Sequence, residues 1–194
     1  MTFNPEMLQI YLTGGTQNTH HDSYEFLEVV EKAMQAGITA FEYQQDDDQM
    51  LTADGRLILA RRLVELGDHY SVPVIINEDK KIAERVGADG IFLQAPANIK
   101  TDLFIGARCS SLAEIRKAND YSDLSYLAYN AKDVFPNAAK LTSLTRLPVL
   151  SPNNLSLDEM PEALKMGFAG LAVDISVIDV ENIQKTIEKI KSFY

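Results

Sequence analysis

One joint occurs three times in this chain, and it limits the folds open to it. Ala36-Gly37-Ile38-Thr39-Ala40-Phe41, Val86-Gly87-Ala88-Asp89-Gly90-Ile91-Phe92 and Met166-Gly167-Phe168-Ala169-Gly170-Leu171-Ala172 each close an amphipathic segment with glycine and enter a short apolar run. Glycine adopts the left-handed conformation that ends a helix without a Cβ penalty. A helix stopped this way and turned straight into a strand is the repeating step of an α/β barrel. The apolar runs predict eight strands, at Leu8–Leu12, Ile38–Tyr43, Pro73–Asn77, Gly90–Leu93, Phe104–Ala107, Ser125–Tyr129, Leu147–Leu150 and Gly170–Asp174. Most are dense in Ile, Val, Leu, Phe or Tyr, as parallel strands covered on both faces should be. Eight such units in 194 residues predict a single (β/α)8 TIM barrel, one domain spanning residues 1–194. An open doubly wound sheet is the alternative, and the count of eight favours the barrel.

The segments between the strands carry helix punctuation. From Ser23 to Gln35 the apolar residues Phe26, Leu27, Val30, Ala33 and Met34 form one stripe. Asp22 with Glu25 resembles a capping box, and Ser111 with Glu114 and Ser156 with Glu159 repeat it before later helices. Near the end, Ile183, Ile187 and Ile190 share a face within Val180–Tyr194.

Charge and cysteine usage exclude some functions. With 28 acidic against 18 basic residues, the chain carries a formal charge of −10. It therefore has no electrostatic reason to follow nucleic acid or an anionic membrane. The opening Met1-Thr2-Phe3-Asn4-Pro5 lacks a signal-peptide pattern, and no apolar run is long enough to cross a bilayer. The one cysteine, Cys109, rules out an intramolecular disulfide and fits the cytosol. A cytoplasmic protein is the expectation.

In this fold, chemistry sits at the carboxyl ends of the strands. That rule selects Thr13-Gly14-Gly15, Glu42, Gln44 and Asp46-Asp47-Asp48, Asn77-Glu78-Asp79, Gln94, Arg108-Cys109-Ser110, Asn130 with Lys132-Asp133, Ser151-Pro152-Asn153-Asn154, and Asp174 with Ser176. The substrate-binding candidates among them are Thr13, Glu42, Gln44, Asn77, Arg108, Lys132, Ser151, Asn153, Asp174 and Ser176. Glu78 and Asp46 are the candidate metal ligands. Each has a plainer reading. Acidic runs such as Asp46–Asp48 are usually solvated, and Asp79 serves equally as a helix cap. His20-His21 lacks a third ligand, and Cys109 lacks a histidine placed to activate it.

Tyr11-Leu12-Thr13-Gly14, Ala36–Asp46, Val72–Gln94, Ile105–Glu114 and Pro148–Ser176 resemble successive blocks of thiamine phosphate synthase and its thiazole tautomerase (TenI-like) relatives. The most specific block is Val72-Pro73-Val74-Ile75-Ile76-Asn77-Glu78-Asp79 followed by Val86–Leu93. The resemblance implies a thiamine-precursor ligand, Mg²⁺, and a transferase reaction in which pyrophosphate leaves a pyrimidine carbocation. Such a reaction needs a metal and basic or amide donors around the leaving group.

Several of those donors are replaced here. The family's Gln-x-Arg-x-Lys run falls on Glu42-Tyr43-Gln44-Gln45-Asp46, which reverses its charge. Asn77 is kept, but Glu78 stands for a metal-binding Asp, and Ala97 or Asn98 for the second. Arg108 replaces a serine. Pro152 and Asn153 replace the Gly-Gly pair that cradles a phosphate, and Asp174 puts a carboxylate near the same phosphate. Phe135-Pro136 and Lys140 echo the loop after strand six. The histidine that the tautomerase branch uses near that loop has no counterpart among His20, His21 and His69.

Three readings follow: an active synthase with unusual residues; a catalytically silent member that binds a ligand or partner; and a barrel enzyme with new substrates using Glu42, Glu78 or Asp174 as acid/base groups. A homo-oligomer suits a barrel this small, and the binding reading expects an exposed apolar patch or dimer face on the helices around Tyr24 and Leu63.

Overall fold

The computed structural model describes residues 2–46, 50–130, 140–141 and 143–194. Eight parallel strands form one sheet: β1 (Ile10–Gly14), β2 (Ala40–Tyr43), β3 (Val74–Asn77), β4 (Gly90–Leu93), β5 (Phe104–Cys109), β6 (Leu124–Tyr129), β7 (Val149–Leu150) and β8 (Leu171–Asp174). Neighbours run in sequence order from β1 to β7, with β8 beside β1. A parallel bridge between Leu150 and Gly170, with the Ser151 amide donating to the Gly170 carbonyl at 3.1 Å, brings β7 back against β8. The sheet is thus a nearly closed barrel. Helices α1 (Ser23–Ala36), α2 (Ala53–Tyr70), α3 (Lys80–Val86), α4 (Leu112–Ala118), α5 (Met160–Lys165) and α6 (Ile183–Lys191) follow β1, β2, β3, β5, β7 and β8, while β4 passes to β5 through a loop.

Local chemistry sets these boundaries. Gly37, Gly87 and Gly167 have φ of 93°, 73° and 95°, so all three repeated joints use the left-handed stop. The Asp22 carboxylate caps α1 by accepting from the Tyr24 and Glu25 amides, an arrangement worth about 1 kcal/mol. Ser111 caps α4 likewise. Ser156 and Glu159 bond to each other, at 2.6 and 2.8 Å, but form a turn before α5 rather than its first residues. The expected first strand starts two residues late because Asn4 caps a short 3-10 turn over Pro5–Leu8.

Two cores result from strand alternation. Side chains such as Leu12, Phe41, Val74, Ile91, Ile105, Leu127 and Val173 point outward and pack under the helices. Their sequence neighbours Tyr11, Ala40, Ile75, Phe92, Phe104, Tyr126, Leu150 and Ala172 fill the barrel, with Phe3 and Met7 packed against them. Phe3 stacks on Tyr126 at 5.7 Å between ring centroids. Period-2 alternation in a small barrel sorts every second residue to the interior, and the same parity carries on into the mouth.

Candidate functional site

Extending the inward parity by one step at each strand end names the site. Thr13 follows Tyr11, Glu42 follows Ala40, Asn77 follows Ile75, Gln94 follows Phe92, Arg108 follows Gly106, Asn130 follows Ala128, and Asp174 follows Ala172. A cavity at the mouth is lined by Thr13, Glu42, Gln44, Arg108, Ser151 and Asn153 among polar groups, with Tyr11, Phe92, Leu150 and Ala172 below. Its free volume is about 30 Å³.

Glu42 is the centre of the floor. It is 3% exposed, accepting from the Tyr11 hydroxyl at 2.8 Å and from the Asn77 amide at 2.6 Å. Tyr126 reaches Tyr11 at 2.7 Å, and the Gln94 amide donates to Asn77 at 3.1 Å. A continuous chain therefore runs Tyr126, Tyr11, Glu42, Asn77, Gln94, and with Tyr11 donating to Glu42 it is Tyr126 that donates to Tyr11. Burial pushes the Glu42 carboxyl above its ordinary value, while the bonds from Asn77 and Tyr11 and the charge of Arg108 pull it partly back. Burial, then the nearby Glu42 charge, push Tyr11 and Tyr126 well above the usual phenol range. Both phenols therefore stay protonated donors.

A second network holds the rim between β1, β7 and β8. Asn153 donates to the Thr13 hydroxyl at 3.2 Å, and that hydroxyl donates to Asp174 at 3.4 Å. Asp174 also accepts from Asn18 at 3.2 Å and from the amide and hydroxyl of Ser176 at 2.9 and 2.6 Å. Ser151 is committed to the seam of the barrel: its hydroxyl accepts from the Ala172 amide and donates to the Pro152 carbonyl, both at 3.1 Å.

The candidate residues thus divide. Thr13, Glu42, Gln44, Arg108, Ser151 and Asn153 share the cavity wall, Asn77 joins through Glu42, and Asp174 and Ser176 brace the rim. Glu78 and Asp46 are exposed. Glu78 holds φ 59° at the end of β3, and Asp79 caps α3 by accepting from the Ile82 amide at 2.9 Å. Among the described residues no three acidic, histidine or cysteine side chains group to hold a metal ion. Among the described residues Glu42 is the one carboxylate on the cavity wall, and the positive charge of Arg108 shares that wall, so the described residues do not fit the Mg²⁺ that the resemblance implies. Lys132, Asp133, Asp47, Asp48, Phe135 and Pro136 lie outside the described residues.

Cys109 takes the outward parity. It is fully buried under the helices, its thiol pushed up to about 12 by burial and then by Glu114. His20 and His21 both adopt positive φ in the loop after β1, and neither lines the cavity. Tyr11 and Tyr126 were absent from the polar shortlist because it took strand ends only. Their signal was the alternation within β1 and β6. Leu63 is wholly buried, so on α2 the exposed apolar residue is Ile58.

A family model described as thiamine monophosphate synthase (TMP-TENI) matches residues 11–178. A thiamine-phosphate synthase of Limosilactobacillus reuteri (strain DSM 20016) is 32% identical, the alignment covering 100% of each chain. One from Limosilactobacillus fermentum is also 32% identical with the same coverage. Among solved structures, a thiamine phosphate pyrophosphorylase from Pyrococcus furiosus superposes with a TM-score of 0.81 at 21% identity, covering 97% of this chain and 96% of that one. A tryptophan synthase alpha-subunit from the same organism gives 0.72 at 11% identity, covering 96% and 98%, a likeness of fold alone.

Proposed function

The chain belongs to the thiamine monophosphate synthase (TMP-TENI) family, and from that premise we propose that its mouth binds a small organic molecule but performs the family's pyrophosphate-releasing transfer weakly or not at all. The observation that carries this reading is the buried Glu42. It stands where the resemblance places an amide of the leaving-group pocket, and Tyr11 and Asn77 hold it as an acceptor. A departing pyrophosphate would meet a carboxyl group there instead of a donor. Losing one preorganised donor to developing charge costs about 10²- to 10³-fold in rate.

The rest of the mouth supports the same conclusion. Pro152 has no N–H to offer a phosphate, and Asn153 spends its amide on Thr13. Asp174 adds negative charge where the second phosphate is expected. Between a silent binder and a barrel with new chemistry, the Tyr126–Tyr11–Glu42 chain favours the second. A buried carboxyl with a raised proton affinity at a cavity floor is suited to acid/base work.

The test is thiamine phosphate formation from the hydroxymethylpyrimidine pyrophosphate and thiazole phosphate substrates with Mg²⁺, beside the Limosilactobacillus reuteri protein. We expect at most one hundredth of the control's rate from folded protein. A rate within tenfold of the control would overturn the reading.

A further inference from the structure

Arg108 and Glu42 share one cavity wall without touching. Arg108 projects inward from β5 and is half-buried, and among the described residues no hydrogen bond or ion pair engages its guanidinium. A guanidinium carries five N–H donors and stays charged at any working pH. No described protein group accepts from those donors, so they are available to acceptors on a ligand. Glu42 is close enough for Arg108 to lower its proton affinity, yet its printed donors are Tyr11 and Asn77. Each Glu42 oxygen thus keeps acceptor capacity beyond one protein donor. Around the two charges the wall is largely apolar, with Phe92, Leu150 and Ala172.

This arrangement discriminates between ligands. A bare anion on Arg108 meets the repulsion of Glu42, and a bare cation on Glu42 meets that of Arg108. A phosphate dianion is worse placed, with Asp174 one hydrogen bond beyond Thr13. A carboxylate with a donor on the adjacent carbon carries an acceptor for Arg108 and a donor for Glu42. With about 30 Å³ of free volume the cavity is small and open at the mouth, so only the end of such a molecule enters and the rest projects outward.

We propose that the cavity takes the head group of an α-hydroxy or α-amino carboxylic acid, its carboxylate on Arg108 and its α donor on Glu42. This rests on the reading of the mouth as a small-molecule site relieved of phosphate chemistry, and it names the ligand class for that site.

Calorimetric titration of the full chain with glycolate, glycine, acetate, methylamine and Mg²⁺-pyrophosphate tests it. Glycolate or glycine should bind at least tenfold tighter than acetate or methylamine. Arg108→Ala should lose that binding, and Arg108→Lys, which keeps charge but not the bidentate fork, should fall between. Glu42→Gln should weaken glycine more than glycolate, because only glycine brings an ammonium. Acetate binding as well as glycolate, no binding by either acid, or unchanged affinity in folded Arg108→Ala would overturn the proposal. Tight Mg²⁺-pyrophosphate binding would instead overturn the broader reading of the mouth, so the two failures are distinguishable.

Discussion

At the scale of single residues, Glu42 concentrates the consequences of the fold. Its folded-state proton affinity is raised, with burial the largest cause. A raised carboxyl binds its proton more tightly in the native than in the unfolded chain. Its stabilising contribution is therefore fully present below the ordinary value of 4.5 and is lost as pH rises through the raised value. Glu42→Gln removes the titration while keeping the shape, since its amide can donate to Tyr11, with Tyr11 then donating to Tyr126. Urea unfolding of both proteins from pH 4 to pH 8 should show the parent losing stability relative to the variant as pH rises. Parallel curves across that range would show that Glu42 does not titrate differently on folding.

At the scale of elements, the sequence disclosed punctuation better than partnership. The glycine joints announced where helices stop, and Gly90–Leu93 was bounded correctly because Gly87 and the apolar run fix both ends. The strand predicted at Leu147–Leu150 contracts to Val149–Leu150 because the Leu147 amide bonds the Thr145 side chain instead of a neighbouring strand. Inward parity at the strand ends was readable for Glu42, Asn77 and Arg108. What it could not supply was the contact between Tyr11 and Tyr126, 115 positions apart, which only barrel closure creates. Closure itself makes a prediction. A Cβ at Gly170 would overlap the Leu8 carbonyl across the β8–β1 seam, a backbone that cannot swing aside. Gly87 has a positive φ of 73° but open space around it. We expect Gly170→Ala to cost about 3 kcal/mol through forced strand displacement. Gly87→Ala should cost about 1 kcal/mol, from the left-handed backbone alone. Denaturant midpoints would measure both, and equal losses would mean that the seam yields more easily than its geometry implies.

At the scale of the whole molecule, the proposed loss of the family's reaction is a property of the closed barrel and not of one strand end. The residues that the proposal rests on come from the ends of β2, β7 and β8, which meet only because the sheet closes. Groups that act as a unit do not contribute additively, so a single reversion should restore little. Asp174→Asn alone leaves Glu42 and Pro152 in place, and Glu42→Gln alone leaves the rim without a phosphate cradle. The joint variant Glu42→Gln, Gln44→Arg, Asp46→Lys, Pro152→Gly, Asn153→Gly and Asp174→Asn returns donors to the leaving-group pocket and N–H groups to the rim. It also moves the formal charge of −10 toward neutrality, which eases the approach of polyanionic substrates. Thiamine phosphate formation by folded joint variant should exceed that of each single variant by at least tenfold. If the single and joint variants stay alike while the fold is intact, the limit on synthesis lies elsewhere in the chain, and the charge reversal at the mouth would not be its cause.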